Sequence, residues 1–331
     1  MPKKIKYIKV KGDHYEIGLK IGKSTRNEIH RCLEVRRKRY ASPSFRVKTL
    51  YNLVNSNSTY SNYIEELRGI ADGSQQNFMD IFAINCDEMA GCTTVLVKSR
   101  ERYILGHNED EDPDENYMYL LNAEYENGDK YTALSYVGLL AGQSVSINGN
   151  NLIQALDFVR TDKKLGIPPA FVARSTLDAK NMKEAVKLAT KPAITGGTNI
   201  FFVQKSKAVD VERAFNHSFV TKIGNSFAHT NHYLSKSLLK YWHPDGELTH
   251  FSSTTRYSTA KRMLAEGEKS AGTIKEILSS HDKVPGSICN HKLKKFIWSV
   301  TLASIVIDTT NMDMEIAHGT PCNTIYIPFR N

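Results

Sequence analysis

The chain is short of the features that would sort it into several common classes. Among 331 residues there are five cysteines, at 32, 86, 92, 289 and 322. An odd count without metal-type spacing excludes a disulfide-stapled secreted scaffold and points to reduced thiols in a cytoplasmic setting. The start, Met1-Pro2-Lys3-Lys4-Ile5-Lys6, is basic but leads into no apolar core, so no secretory signal is expected. No stretch approaches ~18 uninterrupted apolar residues, so no membrane span is expected. Gly/Ser/Pro-rich linkers and low-complexity tracts are also lacking, and composition gives no reason to divide the chain.

What is present is a core-forming sequence, 40% hydrophobic and 24% charged, with a net charge of +9. Residues 1–91 hold 16 Lys/Arg against 10 Asp/Glu, so six of those nine charges precede Cys92. The run Arg36-Arg37-Lys38-Arg39 reads as a solvated helix face. Without aromatic interleaving, zinc spacing or a helix-turn-helix pattern, no nucleic-acid partner is expected. A nucleic-acid binder working through the basic N-terminal third remains a rival, and only steeply salt-dependent binding would support it.

Periodicity divides the chain by character. Residues 5–11 alternate as a strand, and Asp13 is placed to cap a helix from His14. Gly18 and Gly22 fall on one face of that helix, which suits close packing. Further helices are expected over 24–40, 44–56 and 58–72, with a short one at 80–85. From Cys92 strands dominate, at 92–98, 102–108, 117–125, 130–137, 142–148 and 151–158, with turns at Ser99-Arg100-Glu101, Glu126-Asn127-Gly128-Asp129 and Asn148-Gly149-Asn150. Helices at 168–178 and 182–190 follow, the second with an Asn181/Glu184 pair of capping-box type. Strands are expected at 198–204, 207–213 and 218–229, helices at 253–266 and 272–280, and closing strands at 298–308, 312–317 and 323–328. Helices segregated from antiparallel strands indicate an α+β fold, in which two sheets packed face to face and covered by helices would use every element.

The reactive chemistry centres on Gly91-Cys92-Thr93-Thr94, where a cysteine opens an apolar strand behind a glycine. By itself this pair reads more readily as buried core. The Cys92 thiol can also attack the Gly91 carbonyl, which no side chain shields, and hydrolysis of the thioester would make Cys92 a new N-terminus. Its own α-amine, titrating near ~7.7–8.0, could then serve the thiol as base. Asp110, on the next strand, returns through a tight hairpin to the same end of the sheet.

Gly91-Cys92-Thr93-Thr94 followed by Gly106-His107-Asn108-Glu109-Asp110 resembles the isopenicillin-N acyltransferase (acyl-coenzyme A:6-aminopenicillanic acid acyltransferase) family of autoproteolytic N-terminal-nucleophile hydrolases. The likeness extends to Gly12-Asp13-His14-Tyr15-Glu16-Ile17-Gly18, Gly166-Ile167-Pro168-Pro169 with Arg174-Ser175-Thr176-Leu177, Thr198-Asn199-Ile200, Thr230-Asn231-His232-Tyr233 and Gly319-Thr320-Pro321. The resemblance implies an αββα sandwich of two antiparallel sheets between helical layers. It implies cleavage at Gly91–Cys92, with Thr93 following, into residues 1–91 and 92–331, which stay associated as one domain. It implies Cys92 as nucleophile, Asp110 beside it, and Asn231 as a side-chain donor to the oxyanion, where one lost donor costs about 2.7–4 kcal/mol. His232, next to Asn231, is expected to be structural.

Two departures bear on substrate. His107 stands where related choloylglycine hydrolases carry arginine, and Glu109 and Glu111 replace aromatic residues flanking the aspartate. An acidic pocket formed by Glu109, Glu111 and Asp112, with His107, Arg160 and His232 as further candidates, suits a cationic acylated amine or a basic amino-acid leaving group. The expected protein is a self-processing amidase or acyltransferase. No metal or cofactor is expected. Coenzyme A enters only as a leaving group, since no phosphate-cradling glycine loop is visible. Association into a homo-oligomer is left open. The alternative is an unprocessed, inactive small-molecule binding protein of the same fold.

Overall fold

The computed structural model describes residues 5–39, 45–87, 91–113, 117–162, 164–244, 246–291 and 299–329. The side chains of Arg37, Lys38 and Arg39 lie outside the described ones. The basic run can therefore be judged only at Arg36, which is buried and reaches Asp87 at 3.9 Å.

Two sheets stand at the centre. Eight strands run in the order β1 (Lys6–Gly12), β4 (Met118–Tyr125), β5 (Lys130–Tyr136), β6 (Ser146–Asn148), β7 (Ile153–Val159), β8 (Gly197–Gln204), β9 (Lys207–Ala214) and β10 (His217–Lys222). Six run in the order β11 (Ser226–His229), β2 (Gly91–Ser99), β3 (Arg102–Glu111), β12 (Val300–Asp308), β13 (Asp313–His318) and β14 (Ile327–Phe329). The expected strand over 218–229 is thus two strands in different sheets. The expectation of purely antiparallel sheets fails at one pair, because β1 runs parallel to β4. Parallel neighbours need a long crossover, and everything from residue 13 to 117 supplies it.

Strand alternation sorts the six-stranded sheet's side chains. Val95, Val97, Ile104 and Val306 pack against α8 (Glu247–Glu266) and α9 (Ala271–Leu278) through Ala260, Leu264, Ile274, Ile277 and Leu278. Leu96 and Leu105 face the other way, into the main core, where Phe201 of the eight-stranded sheet meets Phe227 edge-on at 5.8 Å. Cys92 shares the parity of Thr94 and Leu96 and so points between the sheets.

The remaining helices cover the eight-stranded sheet. They are α1 (His14–Ser24), α2 (Arg26–Arg39), α3 (Phe45–Asn55), α4 (Ser61–Ser74), α5 (Phe78–Ile84), α6 (Pro169–Thr176) and α7 (Met182–Thr190). Asp13 closes a full capping box with Glu16. At α7 only half of the expected box forms. Asn181 accepts from Glu184 N, but the Glu184 carboxylate takes the N–H of Lys180. Gly18 and Gly22 press α1 onto Gly69 and Gly73 of α4, so closely that a Cβ at Gly18 would sit 2.0 Å from the Glu66 carbonyl oxygen.

The N-terminal segment is built into the rest. A fully buried ion pair joins Glu66 of α4 to Arg174 of α6, with Oε2–Nε 3.1 Å. The Arg174 guanidinium also lies over the rings of Tyr63, Tyr125 and Tyr131.

Candidate active site

The β2–β3 hairpin turns at Arg100, a non-glycine residue with φ 58°, and zips back in register. Strand β3 is longer than its sequence suggested and reaches Glu111, which pairs Gly91 with Asp110 and Cys92 with Glu109. Directly opposed residues share a face and neighbours along a strand do not. Glu109 therefore lies beside the thiol between the sheets, with Oε2 3.8 Å from Cys92 Sγ. Asp110 is opposite Gly91 on the helix-facing side, where its Oδ1 accepts from the Thr301 hydroxyl at 2.6 Å. The hairpin does bring Asp110 to the end of the sheet that holds Cys92, but Glu109 is the carboxylate nearer the sulfur.

The junction itself is clamped. The Cys92 amide N–H donates to Asn231 Oδ1 at 3.1 Å. Arg256, from α8, donates through Nη1 to the Cys92 carbonyl at 2.5 Å and to Thr93 Oγ1 at 2.8 Å, and through Nη2 to Asn231 Oδ1 at 2.7 Å. Two donors converge on one amide oxygen, which fixes the orientation of the Asn231 side chain. Its Nδ2 donates to the Phe158 carbonyl at 2.8 Å. Asn231 thus offers oxygen, not nitrogen, to Cys92 in this state. All five residues around the bond (Cys92, Thr93, Asp110, Asn231 and Arg256) are buried.

A chain of buried polar groups runs away from the thiol. Glu109 Oε2 accepts from the Tyr136 hydroxyl at 2.8 Å, and Oε1 lies 2.8 Å from His107 Nε2. His107 Nδ1 is 2.8 Å from Thr94 Oγ1, which gives its proton to Asp157 Oδ1 at 2.8 Å. With that hydroxyl proton committed, Nδ1 is placed to donate to Thr94 and Nε2 to Glu109, an arrangement that favours the doubly protonated ring. Burial alone would lower its pKa, but the bonded Glu109 carboxylate, with Asp157 and Asp110, carries it above the usual histidine value. His229 is handled alike. Burial opposes its charge, yet Asp157 and Glu212 raise its pKa to about 10.

These charges act on Cys92 and Asp110. Burial, then the carboxylates of Glu109, Asp157 and Asp110, hold the Cys92 thiol well above the usual range, with Arg256 opposing. Burial raises Asp110 to about 6, against the pull of Arg256 and Thr301. Cys92 is therefore held as a neutral thiol.

The other candidates are spread around this centre. Buried Glu111 accepts from the Asp112 N–H at 2.9 Å and pairs with Val300 at the strand end. Arg160 follows β7, half-buried, and its carbonyl accepts from His243 N at 3.0 Å. His232 is buried against Trp242 and Tyr257, with Nδ1 2.8 Å from the Ser253 hydroxyl. Burial, with the charges of His229, Arg256 and His250, lowers its pKa to about 3 and keeps it neutral. Sequence reasoning missed Arg256, Tyr136, Asp157 and His229, which come from elements remote along the chain and carry no motif. Cys92, His107 and Glu109 offer ligand atoms within 4.8 Å of one another, but both His107 nitrogens are already committed to Glu109 and Thr94.

A family profile described as acyl-coenzyme A:6-aminopenicillanic acid acyl-transferase matches residues 97–323, beginning just past Cys92. A β-alanyl-dopamine/carcinine hydrolase of Drosophila melanogaster is 25% identical over 215 residues, covering 54% of this chain and 55% of the relative. The chain thus spans about half the length of the curated relative it matches. Among solved structures, penicillin V acylase from Agrobacterium tumefaciens aligns at a TM-score of 0.46 and 14% identity, over 69% of this chain and 82% of that one. A conjugated bile acid hydrolase variant from Clostridium perfringens aligns at 0.44 and 11%, over 72% and 97%.

Proposed function

The chain belongs to the acyl-coenzyme A:6-aminopenicillanic acid acyl-transferase family, and from that premise we propose that it is a self-processing cysteine amidase or acyltransferase whose nucleophile is Cys92. The observation that carries this reading is the buried Cys92 N–H···Oδ1 Asn231 bond at 3.1 Å, on the nitrogen that cleavage would release.

In self-processing, Cys92 Sγ attacks the Gly91 carbonyl carbon. The thiol proton passes to Glu109, the nearest carboxylate, and on to the departing Cys92 nitrogen. An S–C bond forms as the Gly91–Cys92 C–N bond breaks. Water then hydrolyses the thioester, leaving a Gly91 carboxylate and a Cys92 α-amine. Asn231 Oδ1 holds that nitrogen throughout, while Arg256 fixes the Cys92 carbonyl and the Thr93 hydroxyl. Fragments 1–91 and 92–331 remain together through β1 in the eight-stranded sheet and the Glu66–Arg174 pair. In turnover the α-amine takes the thiol proton and returns it to the leaving amine, and water or an amine accepts the acyl group. Asn231 Nδ2 serves as oxyanion donor once it is released from Phe158.

The leaving group is read as a cationic amine. Glu109, Glu111, Asp157 and Glu212 outnumber the two histidines, His107 and His229, that share the buried intersheet face, and the relative is named a β-alanyl-dopamine/carcinine hydrolase. The opposite result, equal turnover of acyl amides with anionic and cationic leaving groups, counts against this specificity.

The decisive test is the intact mass of the 37.3 kDa chain beside Cys92→Ala. Fragments of roughly 10 and 27 kDa, prorated by length, in the wild type only are expected. Full-length protein in both returns the chain to the unprocessed binding-protein reading.

A further inference from the structure

A second cluster lies outside this site, and its chemistry is that of a metal centre. His281 follows α9, Cys289 and His291 flank Asn290 ahead of β12, and Cys322 sits in the loop between β13 and β14. The turn after α9, the strap before β12 and a distant loop bring two imidazoles and two thiols together, all four ligand atoms lying within 4.8 Å of one another. His281 Nε2 is 3.0 Å from His291 Nε2, and Cys289 Sγ is 3.5 Å from Cys322 Sγ. His291 Nε2 is also 3.5 Å from Cys289 Sγ and 3.2 Å from Cys322 Sγ.

Hydrogen bonding does not account for this convergence. One imidazole nitrogen has either a single proton or a single lone pair, yet His291 Nε2 faces three partners at once. A shared ion does account for it. Zinc–sulfur bonds of about 2.3 Å and zinc–nitrogen bonds of about 2.0–2.1 Å, set tetrahedrally, give ligand–ligand edges of about 3.3–3.8 Å. Of the contacts here, the two at 3.5 Å fall within that range, and those at 3.0 and 3.2 Å fall just short of it, so small outward shifts of the ligand atoms would admit the ion.

We propose that His281, Cys289, His291 and Cys322 bind a structural zinc ion. Two thiolates and two neutral imidazoles select zinc over hard cations, and four protein ligands close the coordination shell. Binding releases the two thiol protons to solvent, so the dication and two thiolates are neutral together. The spacing, with seven residues between His281 and Cys289, one between Cys289 and His291 and thirty before Cys322, is not that of a zinc finger, which is why the sequence did not reveal it.

The site also braces the junction. Cys289 N donates to Ser280 O at 2.9 Å, and Asn290 N donates to Thr301 Oγ1 at 2.9 Å. The Thr301 hydroxyl is the donor to Asp110. An ion here would hold the strap that positions Asp110, although zinc binding is independent of whether Cys92 is a nucleophile.

The test is metal analysis of the full chain, made without a histidine tag and purified under reductant without chelator. Mass spectrometry of the digested metal content is expected to give about one zinc per chain, kept in Cys92→Ala and lost in Cys289→Ser and Cys322→Ser. Stripping with a chelator is expected to lower the thermal midpoint by several degrees, and re-addition of zinc to restore it. If the serine variants do not fold, Co²⁺ added to the stripped wild type decides the matter. Intense tetrahedral d–d bands with a thiolate charge-transfer band support the site, and weak octahedral bands overturn it. The proposal also falls if the reduced wild type takes up no zinc, if zinc is lost in Cys92→Ala but kept in Cys322→Ser, or if Cys289 and Cys322 are isolated as a disulfide.

Discussion

Neutralising Asp110 is predicted to make the protein more stable while impairing its chemistry. Asp110 is buried, and its pKa rises from 3.8 unfolded to about 6 folded. A carboxyl raised on folding keeps its proton in the native chain at pH values where the unfolded chain has lost it. The unfolded state then binds fewer protons, so stability falls as pH rises from about 4 through 6. At about 1.36 kcal/mol per pH unit, this one group costs about 3 kcal/mol at neutral pH. Asp110→Asn is isosteric, can still accept from Thr301 and never ionises. The comparison belongs in a Cys92→Ala background, so that both chains stay intact. Urea denaturation at pH 4.5 and 7.5 is expected to show Asp110→Asn about 1 kcal/mol more stable than its parent at the lower pH and about 2–3 kcal/mol more stable at the higher, the lower figure allowing for relaxation around the charge. With Cys92 restored, the same substitution is expected to slow processing. A destabilised variant at pH 7.5, or a difference between the two chains that does not change with pH, would refute the reasoning.

Three further outcomes are expected. Arg256→Gln, which loses the fork joining Cys92, Thr93 and Asn231, should slow the appearance of fragments about 10²–10³-fold, measured by time-resolved intact mass; unchanged kinetics would remove Arg256 from the site. Glu66→Ala removes one of the two carboxylates that pair with buried Arg174 and leaves Asp178, at 2.8 Å, as the other; it should cost about 1–3 kcal/mol in urea denaturation, whereas no measurable loss would mean that Asp178 alone satisfies the cation. Gly18→Ala forces a Cβ to within 2.0 Å of the Glu66 carbonyl oxygen and should cost about 1–3 kcal/mol by prising α1 from α4; a neutral result in thermal melting would show that the helices can separate freely.

Local chemistry was legible from the chain alone because it depends on neighbours in sequence. The Asp13 cap, the small face of Gly18 and Gly22, the turn at Ser99-Arg100-Glu101 and the strand opening at Gly91-Cys92 are written in propensity and period. The β2–β3 hairpin brought Asp110 within the argument for the same reason, since a tight turn fixes register. What alternation implied went further than was drawn from it. Period two puts Glu109 on the face of Cys92 and Asp110 on the other, so the identity of the carboxylate beside the sulfur was already implicit in the spacing.

Everything that converges from a distance was decided by tertiary structure. Arg256 lies on a helix where a basic residue ordinarily faces water, and only the packing of α8 on the six-stranded sheet aims it at the Cys92 carbonyl. The parallel docking of β1 on β4 depends on the whole intervening crossover. The pKa values of His107 and His229 are raised because the sheets bury them together with Glu109, Asp157 and Glu212, a balance of desolvation against partners that no single segment contains. Likewise His281, Cys289, His291 and Cys322 are four unremarkable residues in the chain, and a cluster only in space. A sequence specifies its turns and strand faces through short-range sterics, whereas a site assembled from several elements is set by how their apolar faces close on one another.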